Sequence, residues 1–134
     1  MENLGKILAV DDSSGWRNFH VQMIKEIYGD KYSIETAESA REGYDKVYNN
    51  MEKPYQLIIT DLQMEIDFEP KYAGEWLTEQ IKLLSAYSKT PIILISGTYN
   101  IDMIAQNLGV NCLPKRIAVN DLNSYKLALE EALN

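Results

Sequence analysis

Three apolar runs in this 134-residue chain end in polar side chains able to do chemistry. Ile7-Leu8-Ala9-Val10 runs into Asp11 and Asp12, Leu57-Ile58-Ile59-Thr60 into Asp61, and Ile92-Ile93-Leu94-Ile95 into Ser96 and Gly97. A weaker fourth run, Val110 to Pro114, ends at Lys115. In an open parallel sheet the carboxyl ends of the strands face one crevice, and ligands bind there. Asp11, Asp12, Asp61, Ser96 and Lys115, remote in sequence, are therefore expected to meet. Carboxylates crowded together raise one another's pKa, and a divalent cation relieves that repulsion. Mg²⁺ suits a site that offers a few carboxylates and leaves room for water and substrate oxygens. Such an ion can also bridge to a phosphoryl oxygen. Asp61, ending the most apolar run, is the best-placed nucleophile for an aspartyl phosphate. Lys115 would neutralise the phosphoryl group as a point charge, and Ser96 would hydrogen-bond one of its oxygens.

The elements that must position these residues alternate between strand and helix patterns, the signature of βα units around a parallel sheet. Strands are expected over 6–10, 32–37, 57–60, 91–95 and 111–113. A first helix, capped by Ser13 or Ser14, carries Trp16, Phe19, Met23 and Ile27 at three- and four-residue steps. Ser39 with Glu42 reads as a capping box for a second helix with Tyr44, Val47 and Tyr48. After a polar loop from Asp61 to Ala73, a third helix is expected over 74–87. A short fourth, with Ile101, Ile104, Ala105 and Leu108, ends at Gly109. Asn120 or Asp121 caps a last helix with Leu122, Tyr125, Leu129 and Leu133. The third and fourth strands are apolar throughout, as when helices cover both sheet faces. The fold class is α/β: a five-stranded parallel sheet in a doubly wound, flavodoxin-like (βα)5 sandwich of three layers.

Composition limits the alternatives. The length fits one domain, spanning 1–134, with a sizeable core and no linker or repeat. The net charge of −7 argues against nucleic-acid binding, which needs clustered Lys and Arg, and fits a protein partner or a cation site. No apolar run approaches membrane-spanning length, and the first residues have no signal-peptide character. One cysteine, Cys112, excludes an internal disulfide and fits a reducing cytoplasm.

With these motifs in register, the chain resembles the receiver domain of two-component response regulators over essentially its whole length. Asp11-Asp12-Ser13 looks like the first-strand acidic pair, Asp61-Leu62-Gln63-Met64 like the phosphoacceptor motif, Ser96 like the switch residue and Lys115 like the lysine ending the fifth strand. The resemblance implies Asp12 and Asp61 as direct Mg²⁺ ligands, Asp11 acting largely through water, and the backbone carbonyl of Gln63 completing the set. It implies transfer from a phosphohistidine to Asp61, hence a histidine kinase or histidine phosphotransfer protein as donor, an unknown output protein, and weak homodimers through the last two helical stretches. The domain would be a signalling phosphoacceptor rather than an enzyme, with no output domain in these residues. Three features depart from the family pattern. Arg116 follows Lys115 where Pro is usual. Cys112 stands where an aromatic switch partner is usual, so no aromatic flip is expected. The loop after Asp61, with Glu65, Asp67 and Glu69, is long and acidic.

Other readings remain beside this one. A pseudo-receiver would only bind partners. A Mg²⁺-dependent phosphatase with an aspartyl nucleophile would need a second Asp two residues after the first, where this chain has Ser13 or Ser14. His20, the single histidine, is expected to be packed or solvated rather than part of a relay. Cys112 is expected to be a small buried hydrophobe, and Tyr99 is the tyrosine nearest the switch position.

Overall fold

The computed structural model describes residues 3–64 and 71–134. The acidic loop residues Glu65, Asp67, Glu69 and Pro70 lie outside the described residues. Strands β1 (Gly5–Val10), β2 (Tyr32–Ala37), β3 (Leu57–Thr60), β4 (Ile92–Ser96) and β5 (Asn111–Pro114) form one parallel sheet in the order β2-β1-β3-β4-β5. The helices are α1 (Ser14–Tyr28), α2 (Ala40–Tyr48), α3 (Ala73–Lys82), α4 (Ile101–Leu108), α5 (Lys115–Asn120) and α6 (Leu122–Leu133). No helix among the described residues is long and apolar enough to cross a membrane.

Alternation along β1 and β3 divides the core in two. Leu8, Val10 and Ile58 pack against α2, α3 and α4 through Val47, Leu77, Ile81 and Ile104. Ile7, Ala9, Leu57 and Ile59 pack against α1, α5 and α6 through Met23, Ile24, Ala118 and Leu129. Successive strand residues point to opposite faces, so a strand covered on both sides is apolar along its length unless a polar side chain is hydrogen-bonded, as Thr60 is through its hydroxyl to the Asp61 carbonyl at 2.8 Å. All four residues of β3 are buried.

The helix ends follow the expected chemistry in most places. Ser13 caps α1 by accepting from the Trp16 amide, and Ser39 caps α2 by accepting from the Glu42 amide at 3.0 Å. The Glu42 carboxylate accepts from the amide of Glu38 at 2.7 Å, one residue before the usual partner in a capping box. Gly109 ends α4 at φ 72°, where a Cβ would be strained.

Two elements differ from expectation. The third helix stops at Lys82, and a separate 3-10 turn covers Ser85–Tyr87. Leu84 is extended (φ −89°, ψ 118°), which turns Tyr87 inward. Its hydroxyl donates to the Asn50 carbonyl at 2.8 Å, and a continuous helix would forgo that bond. The second difference is α5, a sixth helix, which replaces the expected loop after Lys115. Pro114 (φ −61°, ψ 140°) is the last extended residue, and Lys115 is already helical. Asp121 (φ −141°, ψ 86°) then breaks the chain and caps α6, with the Ser124 hydroxyl donating to its carboxylate at 2.8 Å.

His20 is packed rather than solvated: it is 1% exposed, and its Nδ1 lies 2.8 Å from the Tyr125 hydroxyl. Burial, reinforced by the charge of Lys115, pushes its pKa down to about 3. In the unfolded chain the imidazole protonates near pH 6.5. Between those two values the unfolded state binds the extra proton, so stability falls as pH drops from 6.5 towards 3. The loss is about 1.4 kcal/mol per pH unit across that window. Urea titrations at pH 7 and pH 4 should show a markedly smaller acid loss in His20→Phe than in the wild type. Equal losses would show that His20 carries no such linkage.

Candidate functional site: an acidic edge of the sheet

Strand register brings the site together. Val10 pairs with Thr60, so Asp11 and Asp61 emerge side by side at the next position. The Asp61 amide donates to the Val10 carbonyl at 2.9 Å and the Asp11 amide to the Ala37 carbonyl at 3.0 Å, which fixes both backbones. Ser96 pairs with Pro114, so Lys115 follows one step beyond. Oxygens of Asp11, Asp12 and Asp61 all lie within 4.8 Å of one another. Asp11 and Asp61 are buried, while Asp12 is partly exposed.

Lys115 bridges the two buried carboxylates, its Nζ at 2.9 Å from Asp11 Oδ2 and 3.0 Å from Asp61 Oδ2. The remaining oxygens take backbone amides: Ser13 N–H donates to Asp11 Oδ1 at 2.9 Å and Leu62 N–H to Asp61 Oδ1 at 2.8 Å. Burial raises the Asp11 pKa, and the charge of Asp61 adds to it; the Ser13 amide and Lys115 oppose it. Burial pulls the Lys115 pKa down, but the charges and hydrogen bonds of Asp61 and Asp11 outweigh it, so the net direction is up. The ammonium stays charged between the two carboxylates.

The donor set fits a hard cation. It offers only oxygens, three of them carboxylate, around one point. Asp11 Oδ2 is also buried, and among the described residues its partner is the Lys115 ammonium at 2.9 Å. A carboxylate oxygen has more than one lone pair, so it can still face a cation. Gln63, two residues past Asp61, is exposed in the loop that leaves β3.

Ser96 is buried at the end of β4 with its hydroxyl committed elsewhere. Its Oγ lies 3.0 Å from Thr98 Oγ1 and accepts from the Thr98 amide at 3.3 Å. A cavity of about 330 Å³ opens beside it, lined by Ser96, Thr98, Tyr99, Lys115 and Arg116 among others. Tyr99 points outward and is 94% exposed. Cys112 is half-buried rather than fully buried, and its thiol donates to Asp102 Oδ1 at 3.2 Å, linking β5 to α4. Burial and the Asp102 carboxylate push that thiol up to about 11, which leaves it protonated at neutral pH.

Two residues of the site were not evident in the sequence. Thr98 holds the Ser96 hydroxyl, and a Ser-Gly-Thr run reads only as turn chemistry. Gly74 lets α3 lie directly on the backbone that carries Asp61. A Cβ there would come within 1.9 Å of the Asp61 carbonyl oxygen and 2.7 Å of Leu62 Cα. Its amide donates to the Leu62 carbonyl at 2.9 Å, so the contact is also a hydrogen bond.

This arrangement has counterparts among known proteins. A gliding motility regulatory protein of Myxococcus xanthus is 35% identical over 92 residues, 69% of this chain. The chain matches only 10% of that protein's length. The chemotaxis protein CheY4 of Vibrio cholerae superposes with a TM-score of 0.74 at 23% identity, over 97% of this chain and 99% of the other. The receiver domain of the hybrid histidine kinase CckA gives 0.69 at 22% identity, over 97% of this chain and all (100%) of the other. At such identities these two likenesses establish the five-stranded α/β fold. Residues 7–125, nearly the whole sheet and its helices, match the response regulator receiver domain family, and the chain belongs to it.

Proposed function

We propose that this receiver domain accepts a phosphoryl group on Asp61 from a phosphohistidine, with Mg²⁺ held by Asp11, Asp12, Asp61 and the Gln63 carbonyl. The supporting observation is the convergence of three carboxylates within 4.8 Å, two of them bridged by one lysine. When bound, the divalent ion supplies charge neutralisation at the phosphoryl oxygens. The chain's own groups do the rest. A carboxylate oxygen of Asp61 forms the new bond to phosphorus as the donor's P–N bond breaks, and the departing imidazole nitrogen keeps the electron pair and takes a proton. Lys115 compensates charge on the transferring group. Ser96 reaches a phosphoryl oxygen once its hydroxyl leaves Thr98. Leu62 N–H, at 2.8 Å, keeps the Asp61 carboxylate oriented throughout.

The donor is a histidine kinase or histidine phosphotransfer protein of the cytoplasm, and the output is a separate partner or another part of a longer chain. The domain is a phosphoacceptor that turns over only its own acyl phosphate. Incubation with Mg²⁺ and acetyl phosphate should add one phosphoryl group, stable in acid and labile in base, as read by intact mass. Asp61→Asn should remove it, and chelation of Mg²⁺ should suppress it. Neither modification nor Mg²⁺ binding in the wild type would instead mark the domain as a pure interaction module. Turnover of many phosphate ester molecules per chain would mark it as a phosphatase.

A further inference from the structure

We propose that Trp16 is a positioning residue: its ring face holds the Lys115 ammonium over the carboxylates by cation–π attraction. Lys115 Nζ lies 4.9 Å from the centroid of the Trp16 ring while it bridges Asp11 and Asp61. That is within the distance at which a ring's negative face attracts a cation, and Trp is the strongest of the three aromatic rings. The lysine side chain is 18% exposed, so water competes weakly for it.

The ring itself is fixed. Its backbone amide donates to Ser13 Oγ at 3.3 Å in the first turn of α1. Phe19 meets it edge-on with centroids 5.0 Å apart, and His20 lies 5.8 Å away. His20 in turn stacks on Tyr125 of α6. Buried and neutral, His20 puts no positive charge behind the ring that would repel the ammonium. Among the described residues the lysine therefore has three holds, two carboxylates and one ring. Phosphorylation and Mg²⁺ change the charge on the carboxylates but leave the ring as it is. In the phosphorylated domain the ring is then an unchanged hold on a flexible four-carbon stem.

The kinetic part of this inference rests on the phosphoacceptor reading, so the test includes a measurement that does not. In the full chain, the Lys115 Cε and Hε NMR signals, assigned by their loss in Lys115→Arg, should be shifted upfield by the ring. Trp16→Phe should keep part of that shift, and Trp16→Leu should abolish it. Cation–π attraction at a partly desolvated site corresponds to a change of about three- to thirty-fold. The Mg²⁺-dependent rate with acetyl phosphate should fall by that factor in Trp16→Leu and by clearly less in Trp16→Phe, with both variants equally stable to urea. A Lys115 shift unchanged in Trp16→Leu would overturn the proposal. So would equal rate losses in the Leu and Phe variants, which would make the ring mere packing. If the wild type takes up no phosphoryl group, the functional reading fails, while the Lys115 shift still decides whether Trp16 holds the ammonium.

Discussion

Replacing Lys115 with Met is expected to destabilise the domain by about 3 kcal/mol at pH 8 in the absence of divalent metal. Removing one partner from a buried ion pair leaves an uncompensated buried charge, a change that costs about 3–5 kcal/mol. Here one ammonium serves two carboxylates, at 2.9 and 3.0 Å, and Asp11 is fully buried. Without it the two carboxylates face each other alone, and the pKa of Asp11, already raised by burial, rises further. A carboxyl group whose folded pKa lies above its unfolded value favours the folded state as it takes up a proton. The deficit relative to the wild type should therefore shrink as pH falls from 8 to 5. Millimolar Mg²⁺ should restore more stability to the variant than to the wild type, because the ion replaces the missing positive charge. Urea midpoints across that pH range, with and without Mg²⁺, measure all of this. A variant as stable as the wild type at pH 8 would show that Lys115 does not compensate these carboxylates in solution.

Gly74→Ala should be as damaging through a different cause. The added methyl would sit 1.9 Å from the Asp61 carbonyl oxygen, far inside any van der Waals contact, and the obstacle is backbone rather than a movable side chain. Either α3 lifts away or the Asp61–Leu62 segment bends. Overpacking a tight interior costs about 1–3 kcal/mol, and a rigid backbone obstacle belongs at or beyond the upper end. We expect a loss of about 3 kcal/mol or more in urea unfolding, together with loss of acetyl phosphate reactivity in whatever fraction stays folded. Gly97→Ala is the comparison for stability. Among the described residues an added Cβ there meets nothing within 4 Å, so its unfolding midpoint should stay close to that of the wild type. Equal midpoints for the two variants would refute the close approach.

These two residues also mark where the sequence is readable and where it is not. Lys115 could be placed at the site because it ends an apolar run, and strand ends are set by local pattern. The limits of α4 were equally plain, since Gly109 stops the helix by its own backbone preference. The role of Gly74 was hidden. Its contact is with residues twelve and thirteen positions upstream, and only the packing of α3 on the β3 end brings them together. The helix α5 was hidden because six residues with Ile117, Ala118 and Val119 in one unbroken run give no periodicity to detect. The 3-10 turn escaped for a related reason, since one long-range hydrogen bond from Tyr87 overrides a helical pattern that continues through Leu84. The Trp16–Lys115 contact joins residues 99 positions apart in a chain of 134. The three- and four-residue spacing puts Trp16 on the apolar face of α1 with Phe19, which describes only one side of its ring.

The division of the core into two packs has a consequence for how the domain tolerates change. β1 and β3 contribute to both packs, and each ends at a buried aspartate, Asp11 or Asp61. Those two strands act as a shared lever. Strain introduced under α3 or under α6, on opposite sides of the sheet, arrives at the same pair of carboxylates and alters their spacing. Neither helical layer can drift independently of the site, so tolerance to core substitution should be governed by the geometry of two side chains that belong to neither pack.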